Sequence, residues 1–188
     1  MRTLHSTLTY PTSFARAHAR SLAVTLAAIA LALALGGAHT DASSGGRTVT
    51  ARGGDQFVPN VKVASTFHFS PGHITIANGE NLTFNNDTDE PHTLSIVDKA
   101  DLPTDTAGVF NCGAPGTVCD EIFQQFGAEP TSSFFLNVAG GSGLDGRLDS
   151  LFVVPRGSAG VDVTAPSGTT LYYICAIHAW MQGTINVK

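Results

Sequence analysis

PGHITIANGENLTFNNDTDEPHTLSIVD, residues 71–98, alternates short β-favouring runs with turn signals, and that rhythm decides the fold class. Ile74–Ala77, Leu82–Asn85 and Thr93–Val97 are rich in Ile, Thr, Leu, Phe and Val, the residues that suit a pleated, half-buried surface. Pro71-Gly72, Asn78-Gly79 and the polar run Asn85–Pro91 separate them. Asn78-Gly79 tolerates positive φ and predicts a tight hairpin turn. The same pattern extends outward through Thr48–Arg52 and Val61–Phe69 on one side. On the other it extends through Phe134–Val138, Leu151–Val154, Val161–Ala165, Leu171–Ala176 and Thr184–Val187, with a flexible break at Gly140–Gly143. No long amphipathic helix and no internal repeat interrupts the region. Roughly eight to ten strands predict one all-β domain over residues 48–188, an antiparallel sandwich or barrel with Greek-key connections.

Residues 98–130 break the rhythm with three prolines, Cys112, Cys119 and a segment, Cys119–Phe126, suited to a helical turn or two. The two cysteines lie in the Gly/Pro-rich stretch NCGAPGTVC and read as a disulfide in an exported chain. Closing so short a loop restricts the unfolded chain by about 2–3 kcal/mol on the chain-entropy model. Cys175 is then the odd cysteine, embedded in an aromatic and β-branched strand.

Export is inferred from the N-terminus. Arg2, Arg16 and Arg20 precede an unbroken apolar and small-residue run, Ser21–Ala38, ending in Gly36-Gly37-Ala38. That is the layout of a secretory signal over residues 1–38, and retention as a membrane anchor is the alternative. A Ser/Gly-rich lead-in, residues 39–47, follows. The periplasm or the extracellular space is the expected location. The full chain carries a formal charge of −5; without residues 1–38, seven basic residues face fifteen acidic ones, a net of −8. No Lys/Arg cluster is present, so nucleic acid is excluded as a partner, and a basic protein surface is the better electrostatic match.

The chemistry lies in Tyr172-Tyr173-Ile174-Cys175-Ala176-Ile177-His178-Ala179-Trp180-Met181-Gln182-Gly183. A thiolate, an imidazole and a thioether donor recur here at three-residue intervals. Soft sulfur donors combined with imidazole select copper over hard cations. Two histidines and a cysteine in a plane, with a weak axial methionine, form an electron-transfer copper site. The missing histidine is best supplied by His92, which follows a polar loop, is approached through Pro91 and opens the apolar strand Thr93–Val97. His68 and His73, on an earlier strand pair, are its competitors; His68 alternates with Phe67 and Phe69 on a sheet face, and His73 follows a turn.

Cys175, His178 and Met181 in Cys-x-x-His-x-x-Met spacing resemble the short ligand loop of the cupredoxins, amicyanin in particular. Residues 71–98 are similar to the cupredoxin run of strand, turn, strand, Asn-rich loop and first ligand histidine. The resemblance implies a cupredoxin-like sandwich holding one copper ion, Cu(I)/Cu(II), through His92, Cys175, His178 and axial Met181. Family members usually carry Asn after the first histidine; Thr93 stands there in this chain, where its hydroxyl and N–H can tie the two loops together. In the family the edge of the C-terminal histidine reaches solvent through an apolar patch; Ile177, Ala179 and Trp180 would supply it here, the alternative being that Trp180 simply packs against the barrel end. The disulfide-bearing insertion is longer than in small family members and is expected to cover one side of the copper end or to form a partner surface.

A non-enzymatic one-electron carrier working between redox proteins (a dehydrogenase, cytochrome or oxidase) is the leading expectation. Copper delivery or resistance is the first rival, but such proteins are often methionine-rich and this chain has only Met1 and Met181. A catalytic or sensory copper site is the second. It needs an open coordination position, which a four-ligand set does not leave, and a second copper centre needs His-x-His pairs, which are lacking.

Overall fold

Apolar residues at alternate positions set which face of each strand turns inward. In the computed structural model this rule organises β1 (Arg47–Arg52), β4 (His68–Ser70), β6 (Asn81–Asn86) and β10 (Ser158–Asp162) into a sheet of order β10–β6–β1–β4. Its buried side chains are Val49, Ala51, Phe69, Leu82, Phe84, Ala159 and Val161. A second sheet holds β5 (His73–Ile76), β7 (His92–Val97), β8 (Phe134–Asn137), β9 (Ser150–Val153), β11 (Thr170–Ile174) and β12 (Gln182–Val187), in the order β5–β12–β11–β7–β9–β8. From it Ile74, Ile76, Leu94, Ile96, Leu151, Val153, Tyr173 and Ile185 meet the first set in one apolar core. The sheets do not close on one another, so the fold is a sandwich and not a barrel. The structure describes residues 47–126, 134–137 and 143–188; the expected signal 1–38 and all but the last residue of the lead-in lie outside them. Among the described residues no helix is long and apolar enough to cross a membrane.

Most neighbours pair antiparallel, but β1–β6 and β5–β12 are parallel, which the strand pattern alone did not announce. Parallel pairing needs a crossover and cannot be made by a hairpin. Asn78-Gly79 is a related correction. The turn exists, closed by Glu80 N–H to Ala77 O at 3.1 Å, but it joins β5 to β6 across the two sheets and makes no hairpin. A primed two-residue hairpin turn of the Asn-Gly kind needs positive φ at both central residues; only Gly79 has it here, at 79°. The expected strand Val61–Phe69 is also broken. Its first half pairs, as β3 (Lys62–Ser65), with β2 (Asp55–Val58) in a separate hairpin, and its second half becomes β4. Gly53, at φ 107°, lets the chain pass Thr66 O, which an added Cβ would approach to 2.3 Å.

The insertion holds two helices, α1 (Thr106–Asn111) and α2 (Val118–Phe126), stapled by the Cys112–Cys119 disulfide. Val118, Cys119, Ile122 and Phe126 pack with Val97, Ile174 and Ala176 on the outer side of the six-stranded sheet. Every residue of β7 is consequently buried, and the strand that begins with His92 is covered on both faces.

Candidate metal centre

His92 is the first residue of β7, and Cys175 directly follows β11, which lies beside β7 with Ile174 opposite Ser95. Register thus brings together two residues far apart in sequence. Ile174 also faces Gln182 on β12, so residues 175–181 must turn back within one short loop. Main-chain bonds close it: Cys175 N–H donates to Met181 O at 3.0 Å, and Met181 N–H to His178 O at 2.8 Å. At the exit Gly183 packs where a Cβ would come 2.3 Å from Gly72 O and from the Tyr173 ring. Thr93 links the two segments. Its N–H donates to Cys175 Sγ at 3.4 Å and its hydroxyl oxygen accepts from Ala176 N–H at 2.8 Å.

Three donor atoms converge. Cys175 Sγ lies 3.7 Å from His92 Nδ1 and 3.8 Å from His178 Nδ1, and the two Nδ1 atoms are 3.1 Å apart. The point equidistant from all three is about 2.1 Å from each, the length of a metal–imidazole bond and slightly short for a metal–thiolate one. This triangle fits one metal ion, and its nitrogen and soft sulfur donors suit copper. Met181 is buried in the same apolar core as Cys175.

Burial tunes the donors. It pushes His92 down to about 4, helped by the neighbouring His178, and it lowers His178 against the opposing charges of Asp55 and Glu90. Both imidazoles therefore keep a free lone pair at neutral pH. Burial also pushes the Cys175 thiol up, opposed by hydrogen bonds from Thr93, His178 and Ile177. The thiol must lose its proton to bind a metal.

Two features of the surroundings escaped sequence reasoning. Phe67 is buried over both imidazoles, its ring 5.0 Å from His92 and 4.7 Å from His178. Behind His92, Nε2 lies 2.9 Å from the Thr88 hydroxyl, which is itself bonded to Asn86. Asn86 and Thr88 belong to a run with the composition of a solvated loop, and no sequence signal marks them as buried. Among the residues read as an exit patch, Trp180 is 42% exposed, Ile177 half-buried and Ala179 buried against α2 and its neighbours. Trp180 stands edge-on to His178 at 5.2 Å and donates its indole N–H to Phe67 O at 3.1 Å. His68 and His73 are exposed, bonded to Thr66 O and the Thr184 hydroxyl, and take no part in the cluster.

The chain is similar to the cupredoxins. A novel purple cupredoxin from Nitrosopumilus maritimus is 15% identical, with a TM-score of 0.41, over 76% of this chain and 99% of that one. Auracyanin from Roseiflexus castenholzii is 19% identical, with a TM-score of 0.40, over 64% and 87%. Plastocyanin from the fern Dryopteris crassirhizoma is 23% identical, with a TM-score of 0.36, over 75% and 99%. No family model and no curated protein matches the sequence. At this level of likeness the cupredoxins add nothing to the metal reading, which rests on the donor triangle.

Proposed function

We propose that the protein is an exported type 1 copper protein carrying one electron at a time between redox partners. His92, Cys175 and His178 would hold the ion, with Met181 as a fourth, weaker donor. The buried triangle of two Nδ1 atoms and one thiol carries this reading. Bound copper supplies a one-electron couple whose two states this mixed donor set accommodates. The chain's own residues do the rest. β7 and the closed loop 175–181 hold the donors in place, so a change of charge at the site requires little movement. Phe67 and the Trp180 indole, latched to Phe67 O, keep water off both imidazoles. His178 is only 7% exposed, so Trp180, in contact with it and open to solvent, is the surface a partner would touch. Four donors leave no position for a substrate, which favours a carrier over an enzyme. The partner would be a redox protein with a basic docking surface, met in the periplasm or outside the cell.

Visible spectroscopy of copper-loaded protein tests the reading. An intense blue thiolate-to-copper band is expected for the trigonal site. A weak tetragonal spectrum would sink it. Met181→Leu is expected to keep the blue colour and raise the reduction potential, because an axial donor stabilises Cu(II); an unchanged potential removes Met181 from the set.

A further inference from the structure

The side of His92 turned away from the donor triangle meets a buried polar network whose short oxygen–oxygen contacts favour one proton arrangement. The Asn86 side-chain NH₂ donates to Glu90 O at 2.7 Å and Val154 O at 3.0 Å, with Val153 O at 3.3 Å. Since all three are acceptors, Asn86 Oδ1 is turned the other way, where it accepts from Thr88 N–H at 3.1 Å. The Thr88 hydroxyl is 2.8 Å from that same Oδ1 and 3.0 Å from Glu90 O, both of which can only accept. Its one proton goes to one of these oxygens or is shared between them. Thr88 Oγ1 then acts as an acceptor for Glu90 N–H, at 3.2 Å, and for whatever His92 Nε2 presents at 2.9 Å. Thr88 and His92 are both buried, so water does not supply an alternative partner.

We propose that Thr88 is the positioning residue of this site: it holds His92 as the Nε2–H tautomer, leaving the Nδ1 lone pair aimed at the position shared with Cys175 and His178. The proposal deepens the copper reading and rests on it for its purpose, though the tautomer itself is a property of the metal-free chain. The opposite tautomer would put a proton on Nδ1 and require the Thr88 hydroxyl to abandon both oxygens. A partner bonded to the non-ligating nitrogen of a ligand histidine fixes ring orientation, and losing it typically costs about 10–100-fold in metal affinity.

Long-range proton–nitrogen NMR of the metal-free protein, with Cu(I) competition against a chelator as the second readout, decides the matter. Wild type is expected to show His92 as Nε2–H alone. Thr88→Val keeps the shape and removes the hydroxyl; it should populate the other tautomer and lower Cu(I) affinity about tenfold or more. Thr88→Ser should restore both. His92 found as Nδ1–H in wild type overturns the proposal without any variant, which covers the case of Thr88→Val failing to fold. An unchanged tautomer and affinity in folded Thr88→Val overturns it equally. Absence of the blue band in copper-loaded wild type is the separate failure of the copper reading and leaves the tautomer result standing.

Discussion

His92 and the loop 175–181 deliver donors to one point by opposite means. His92 stands on a strand buried along its whole length, sandwiched between the main core and α2, and its ring is tied from behind by side chains, Thr88 and Asn86. The loop is tied by side chains at two points, Thr93 Oγ1 accepting from Ala176 N–H and the Gln182 side-chain NH₂ donating to Ala179 O. Its shape comes from its shortness, from main-chain bonds at Cys175 and Met181, and from the cover that Phe67 and Trp180 place over it. One half of the site is placed by register and a polar network, the other by loop length. Damage should therefore spread differently from the two sides.

The largest effect is expected from Cys175→Ser, which removes the donor common to both short sulfur–nitrogen edges. The blue band should vanish and Cu(I) affinity fall by about a thousandfold or more, since the soft thiolate is what selects copper. A blue product would disprove the triangle. Phe67→Ala comes next. It deletes a buried ring touching both imidazoles, and denaturant unfolding of the metal-free protein should show a loss of about 3–4 kcal/mol. A loss under about 1 kcal/mol would mean that the cover contributes no packing.

A change on the far side of β7 separates stability from site geometry. The double variant Cys112→Ala/Cys119→Ala should lose about 2–3 kcal/mol, the loop-closure contribution, while keeping the copper spectrum. A shifted band would show that α2 sets the His92 strand and does more than cover it. Proton counting gives the smallest signal. Burial holds the Cys175 thiol protonated and both histidines neutral in the metal-free chain. Cu(I) uptake should then release about one proton per ion between about pH 7 and 8, and affinity should rise about tenfold per pH unit until the thiol titrates. A release near zero would mean that the thiol is already ionised or does not bind.

The C-terminal donors were legible because they are local: Cys175, His178 and Met181 recur every three residues, and no tertiary information is needed to see them. His92 was legible through its place between a polar loop and an apolar strand. Thr93 followed from the family resemblance, and its contacts to Cys175 and Ala176 are present. Thr88 and Asn86 were not legible, because Asn85–Pro91 has the composition of a solvated turn and only folding buries part of it. Phe67 looked like any sheet-face aromatic until β4 was placed against the ligand loop. The hairpin β2–β3 was hidden by Gly53-Gly54 and by the apparent continuity of Val61–Phe69.

Alternating apolar residues, turn signals and donor spacing by themselves determined an all-β fold, a stapled insertion and a run of nitrogen and sulfur donors suited to copper. Tertiary structure alone decided the parallel pairs, the crossing of Asn78-Gly79 between sheets, and which groups stand behind and above the imidazoles. The reason is physical. A period of two says that a strand has an inner face, and residue chemistry says what a side chain can bind. Neither says which strand lies alongside, and the neighbours of a buried ring are set by that choice.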